Sequence, residues 1–241
     1  VWELSRSYPD VQTQSPKDLY CYTDHPMPDD YPEWPKGPQV HAYLHSYADK
    51  HKTARLFRLH TTIKAMERRA DGEAGWTLTI EAGSHEWTEN FDFVSICTGQ
   101  FSEKNIITHP GQDDFVARGG SVMHSSVYTD PSLCKGKDIV VLGGSKSATA
   151  IAVNAVKNGA RSVRLVYLEN VWCVPYFVGG INFKRLLYMR AQEQQFNQWG
   201  KSSLQRVIAA VFTPLVWVNF RGLETLLKMQ LKLKKHGMVP T

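Results

Sequence analysis

The spacing of apolar positions changes character along the chain. Residues 1–36 carry Pro, Tyr, Trp and Asp with no period and read as loop. Across Gly37–Lys52, Val40, Tyr43, Leu44 and Tyr47 follow the 3, 4, 7 spacing of an amphipathic helix. Short strand-like runs follow at Arg55–Phe57, Thr62–Met66, Trp76–Ile80 and Phe91–Cys97. Trp76–Ile80 alternates with period two after a turn signal at Asp71-Gly72. Together they predict a small meander that returns into a buried strand, Phe93–Cys97.

Residues 100–137 are again irregular, and then the pattern becomes strand, turn, helix, strand. Asp138–Leu142 is a short apolar strand and Gly143-Gly144-Ser145 a tight turn. Ser147–Asn158 reads as a helix closed by Gly159, and Ser162–Leu168 as a second strand. This is a βαβ start of the dinucleotide-binding kind. The C-terminal third reads as helical. Val207–Val218 is apolar, too short to span a bilayer, and contains Pro214; it is expected to be buried. The stripe Leu223, Leu226, Leu227 and Leu231 is expected in the core, with lysines 228, 232, 234 and 235 near its C-terminal end. A membrane-surface or partner-binding helix is the alternative.

The six residues Gly143-Gly144-Ser145-Lys146-Ser147-Ala148 stand where G-x-G-x-x-G/A would stand. Such a turn lets backbone N–H groups approach a pyrophosphate at a helix N-terminus. Gly143 can make the bend, and Ala148 is small enough for helix to pack on strand. Ser145 replaces the middle glycine and narrows the approach, but offers a hydroxyl; Lys146 adds a charge. At the end of the second strand, Glu169 argues against a ribose 2′-phosphate, while Lys146, Arg161 and Arg164 argue for one. NADPH and NADH both stay open at this point.

Composition narrows the setting without choosing the chemistry. The chain has 241 residues, 42% hydrophobic and 21% charged, enough for one large domain or two modest ones. A net charge of +5 suits an anionic ligand or a mildly basic surface. Cys21, Cys97, Cys134 and Cys173 are far apart and lack C-x-x-C spacing, so zinc and disulfide frameworks are poorly supported. No metal site, acid–base pair or nucleophilic triad stands out.

Several separated motifs together resemble the flavin-containing monooxygenase family, particularly its divergent microbial and fungal members. Trp2, Arg6 and Tyr8-Pro9 look like the segment after that family's first βα unit. Thr13-Gln14-Ser15-Pro16-Lys17-Asp18 resembles T-N-x-P-K near the flavin, and Tyr22–Met27 resembles F-S-D-F-P-M. Phe93–Gly99 resembles the strand ending in A-T-G. Gly120, His124 and Tyr128 fit the second half of F-x-G-x-x-x-H-x-x-x-Y/F, and Gly143–Ala148 is then the nicotinamide-binding motif. The departures are Gln14 for the usual Asn, and an opening Phe displaced to Phe115. The family's first glycine motif and its C-terminal part do not appear, so a fragment with weak or no FAD retention is expected.

The resemblance implies an α/β fold, part of a Rossmann-like flavoprotein with two dinucleotide-binding domains, one for FAD and one for NADPH. Residues 1–132 would be a partial FAD-binding domain with a small β-meander. Residues 133–241 would be an incomplete NAD(P)-binding domain with a helical extension. NADPH would reduce FAD, and the reduced flavin and O2 would oxygenate a soft nucleophile of a small molecule, an amine nitrogen or a sulfide. Gln14 is the candidate flavin-positioning amide. Trp2, Lys17, Thr98, Gly99, His124 and Tyr128 are expected cofactor contacts, together with the turn 143–148. Tyr128, where Baeyer–Villiger monooxygenases carry Trp, favours amine or sulfide oxygenation over that chemistry. A non-catalytic nicotinamide-nucleotide-binding module is the other alternative. No nucleic-acid partner is expected, the expected compartment is cytoplasmic, and a peripheral membrane contact through the C-terminal region stays open.

Overall fold

Strands that find a partner within the chain form, and those that do not remain extended loop. The computed structural model describes residues 2, 5, 7–99, 103–172, 174–187 and 202–240. In chain order it contains a one-turn helix α1 (Lys17–Tyr20), helix α2 (Gly37–Lys50), strands β1 (Thr62–Arg68), β2 (Trp76–Ala82) and β3 (His85–Phe91), and a short helix α3 (Gln112–Ala117). Then come β4 (Asp138–Leu142), α4 (Lys146–Lys157), β5 (Ser162–Val166), the two-residue strands β6 (Phe177–Val178) and β7 (Ile181–Asn182), α5 (Phe183–Leu187) and α6 (Ser203–Gln230).

The chain divides into two compact units, residues 1–43 with 125–241, and residues 44–124. In the second unit β1, β2 and β3 form an antiparallel meander in that order. Leu78 and Ile80 on β2 are its buried positions, as the period-two alternation predicts. Two expectations fail here. Arg55–Phe57 belongs to a 3-10 turn at Ala54–Leu56, not a strand, with Leu56 and Phe57 exposed. Phe93–Cys97 is not a buried strand: the third strand ends at Phe91, and Phe93 is 82% exposed. The physical reason is the same in both. A strand exists only as part of a sheet, and no described strand lies beside either run to accept its backbone bonds.

The first unit is built on β4–α4–β5. Its two strands are parallel in full register, Asp138↔Ser162 to Leu142↔Val166. Ile151 and Ala155 on the inner face of α4 are buried with Tyr128 and Cys134, packed with Tyr8, Ile139, Val141 and Val163. Alternation therefore turns Ile139, Val141 and Val163 toward the helix and leaves Val140, Leu142 and Val166 exposed on the other face. The segment 11–17 runs along 33–37, tied by Thr13 N–H to Pro35 O (3.0 Å), Gly37 N–H to Val11 O (2.8 Å) and Lys17 N–H to Glu33 O (2.7 Å). Glu33 in turn holds Asn182 of β7 and Arg185 of α5.

Helix α6 departs from expectation in one half. Leu227 is buried and Leu223 packs with it against Val178 and Phe183. Leu226, expected beside them, is 39% exposed because it points to another side of the helix. Val207–Val218 is not buried: Val207, Val211, Phe212, Leu215 and Val218 are all more than half exposed. No described element covers that part of the helix. No helix among the described residues is long and apolar enough to cross a membrane.

Candidate functional site

The carboxyl ends of parallel strands are where open α/β sheets place their ligands. Here β4 ends in the bend Gly143-Gly144-Ser145, and α4 begins at Lys146. Gly143 has φ +128, and a Cβ built on it would stand 3.4 Å from the Ala148 Cβ. A side chain at 143 would thus be strained by the positive φ, with its Cβ in contact with Ala148. Gly144 meets a different neighbour: its Cβ would come within 3.1 Å of the Tyr167 side chain. Gly143 N–H donates to Val166 O at 2.8 Å, which carries the ladder into the bend. Ser145 is the helix N-cap, and its hydroxyl makes no cap bond. The first turn of α4 carries no acid, so the positive end of the helix dipole is not offset there.

An open groove of about 220 Å³ runs along α4 from this bend, lined by Tyr8, Asp10, Gln12, Lys146, Thr149 and Asn154 among others. The Ser147 hydroxyl is hydrogen-bonded to Tyr8; burial raises the Tyr8 pKa and that bond partly opposes the rise. Asn154 is 2% exposed and bonded on both sides: its amide donates to Asp10 at 3.0 Å and accepts from the Tyr128 hydroxyl at 2.8 Å. Gln12 donates to the Tyr176 hydroxyl at 2.6 Å, beneath Trp34, whose ring centroid is 4.2 Å from that of Tyr176. The groove thus has a hydrogen-bonded polar floor and a lysine at its helix-start end.

Gln14 lies in the exposed bend between buried Thr13 and buried Pro16 and does not line the groove. The Lys17 ammonium donates to three carbonyls, Pro28 and Asp29 at 2.9 Å and Tyr31 at 3.0 Å, so its protons are spent on organising that loop. Trp2 stands edge-on to Tyr20, centroids 6.0 Å apart. Arg6 and Cys173 lie outside the described residues. Tyr22–Met27 is fastened to Tyr43, whose hydroxyl donates to His25 O (2.6 Å) and accepts from Tyr22 N–H (2.7 Å).

Tyr128 sits in the core under α4, its hydroxyl bonded to Asn154 and 3.3 Å from the Cys134 sulfur. Burial pushes its pKa above the ordinary tyrosine value. Of the remaining expected contacts, Thr98, Gly99 and His124 belong to the second unit, where Thr98 and Gly99 are exposed. Phe115 also belongs there, and its ring lies where a Gly120 side chain would be, 2.3 Å from the built Cβ. The displaced phenylalanine therefore packs on the fingerprint glycine after all.

The charges argued for a 2′-phosphate separate cleanly. Arg161 and Ser162 hold the Asp138 carboxylate at the amino ends of the strands, opposite the bend, and keep it well below the usual carboxylate range. Arg161 is thus engaged with Asp138 at that end, and Arg164 pairs in the ladder with Val140. Lys146 remains at the bend. The lining residues Asp10, Gln12, Thr149 and Asn154 were not foreseen. Only the positive φ of Asp10, +60, marks that loop as unusual, and it is invisible without coordinates.

A family model described as flavin-binding monooxygenase-like matches residues 3–210. Dimethylaniline monooxygenase [N-oxide-forming] 2 of Oryctolagus cuniculus is 30% identical over 158 residues, 64% of this chain and 29% of that protein. The chain thus spans less than a third of that relative. A variant of the flavin monooxygenase from Stenotrophomonas maltophilia matches with TM-score 0.61 and 19% identity, over 79% of this chain and 52% of that one. OTEMO, solved in complex with FAD and NADP, matches with TM-score 0.60 and 19% identity, over 80% and 38%. These likenesses show the α/β fold of flavoproteins with two dinucleotide-binding domains. On the family match, which covers most of its length, the chain belongs to the flavin-binding monooxygenase-like family.

Proposed function

We propose that this chain supplies the nicotinamide-nucleotide site and part of the flavin surroundings of an NADPH-dependent flavin monooxygenase. The substrate is a small molecule carrying a soft nucleophile, an amine nitrogen or a sulfide sulfur. The observation that carries the reading is the Gly143–Ala148 bend, open at a helix N-terminus where two parallel strands end. Its geometry fits a pyrophosphate. Backbone N–H groups at the start of α4 would hold the phosphates, Ser145 would donate its free hydroxyl, and Lys146 would add charge. Ala148 and Gly143 allow the helix to sit close enough for that approach.

When bound, FAD supplies the redox and oxygen chemistry and NADPH the hydride. The residues of this chain bind, orient and exclude water. Gln14, exposed on a loop pinned by Thr13 and Pro16, is the proposed amide toward the flavin. Lys17 acts through the 28–31 loop that it braces, and Tyr128 through α4, which it supports from below. Trp2, Thr98, Gly99 and His124 are proposed as further cofactor contacts. On this reading residues 1–132 serve FAD and residues 133–241 serve the nicotinamide nucleotide.

The full-length protein is expected to purify yellow and to oxidise NADPH under air. A colourless protein that binds only a nicotinamide nucleotide would make it a non-catalytic binding module. Gly143→Val is expected to weaken NADPH binding by about tenfold or more, because positive φ and the Ala148 contact both oppose a β-branched side chain. Unchanged affinity in a fluorescence titration would remove the nucleotide from this bend.

A further inference from the structure

The end of β5 carries the wrong charge for the nucleotide proposed above. In a parallel βαβ unit the residues after the second strand meet the adenosine ribose. An acid there accepts from a free 2′-hydroxyl, and a cation accommodates a 2′-phosphate. Glu169 stands just past Val166, the last residue of β5, and is exposed. The nearby arginines do not offset it from where they lie. Arg161 is bound to Asp138 at the amino end, and Arg164 lines the same surface hollow as Asp138 and Ser162.

Cations reach the carboxyl end by another route. The Tyr167 side chain lies against the bend, within 3.1 Å of a Cβ built on Gly144, and its hydroxyl donates to Asn170 Oδ1 at 2.9 Å. Asn170 Nδ2 donates in turn to the carbonyls of Gly237 and Val239, each at 3.3 Å. The chain beyond α6 is thereby tied, through two side chains, to the glycine bend. Lys228 makes a second junction, its ammonium 5.4 Å from the centre of the Trp172 ring. Between these two junctions lies a compact turn. Leu233 is 5% exposed, its N–H donates to Lys228 O at 3.1 Å, and its carbonyl accepts from Met238 N–H at 3.0 Å. Lys232, Lys234 and Lys235 stand exposed on that turn, and no acid occurs between Thr225 and Pro240.

We propose that the turn after α6 reads the 2′-phosphate of NADPH: Lys232, Lys234 and Lys235 supply the positive charge that the end of β5 lacks, and Asn170 positions them. The inference rests on the nucleotide site at Gly143–Ala148. A lysine acts on a phosphate as a point charge, so three on a fixed turn suffice where a bidentate arginine would need a closer fit. The labour is divided. The bend holds the pyrophosphate that NADPH and NADH share, and the turn meets only the group that distinguishes them.

The test is fluorescence titration of the full-length protein with NADPH and with NADH. The wild type is expected to bind NADPH at least about tenfold more tightly, a preference that shrinks as salt is added. Lys232→Gln, Lys234→Gln and Lys235→Gln combined are expected to weaken NADPH by about tenfold and to leave NADH within about twofold. Asn170→Ala removes no charge, yet should lose part of the same preference by releasing the turn, and Glu169→Gln should increase it. The three lysines are exposed, so unchanged thermal unfolding should show that the fold survives. A triple variant that keeps the wild-type preference overturns the proposal. So does equal weakening of both nucleotides, or a wild type that binds them equally. Gly143→Val separates the two claims: it should weaken both nucleotides, and if it weakens neither, the bend is no nucleotide site and the inference falls with it.

Discussion

Phe93–Gly99 and Asp138–Gly143 look alike as sequence. Each is a short apolar run ending in glycine, and both glycines adopt positive φ, +80 at Gly99 and +128 at Gly143. Their fates differ. Asp138–Leu142 is a strand because Ser162–Val166 returns in parallel beside it, after one helix. Among the described residues no strand returns beside Phe93–Cys97, and Phe93 and Ile96 stand in solvent. The difference teaches that an apolar run declares a tendency, while the sheet is made by whichever segment comes back to complete it. A right-handed βαβ crossover carries its own second strand, and the 93–97 run does not.

The comparison can be broken by substitution. Ile151→Ala, under β4–β5 in the core of the first unit, is expected to cost about 2–5 kcal/mol in denaturant unfolding. Phe93→Ser is expected to change stability by less than about 0.5 kcal/mol, since its side chain leaves no cavity. If Phe93→Ser were as damaging as Ile151→Ala, that segment would be a buried strand and the contrast would vanish. A smaller effect sharpens the picture within the first unit. Tyr128→Phe removes the donor to Asn154 and leaves a buried amide oxygen unpaired, at about 1–3 kcal/mol. NADPH affinity should stay within about twofold, because Tyr128 supports α4 from below; a tenfold loss with stability unchanged would make it a direct contact.

What could be read in advance follows from the range of the interactions. The β4–turn–α4–β5 unit was legible because turn chemistry, capping and alternation are local, and each pointed to the same structure. The β2 alternation was legible for the same reason. β3 was not: His85–Phe91 is mostly polar, and its strand character comes from pairing with β2 across the Gly83 turn. The groove residues were hidden because Asp10 meets Asn154 only through the fold. Arg161 directly precedes β5, so its place at the amino end was legible, while its pairing with Asp138 was not, because that contact is made only by the parallel ladder. The exposed half of α6 misled because hydrophobicity predicts a need for cover, not where the cover comes from.

The two ends of the β4–β5 sheet give the last and smallest test. The carboxyl end holds the bend and the amino end holds Asp138 with Arg161 and Ser162. The pair is exposed, so solvent screens most of its strength. Its signature should still appear in pH dependence. The folded pKa of Asp138 lies below its ordinary 3.8, so the pair contributes stability that is complete above that pH and is lost as pH falls toward the folded value. Asp138→Asn should therefore lower stability at neutral pH by a small amount and flatten the decline below about pH 4 by that same amount. NADPH affinity should not change at all, because the substitution is at the far end of the strands. An affinity change would mean that the amino end communicates with the bend through β4, and that the division of the sheet into a structural end and a binding end is wrong.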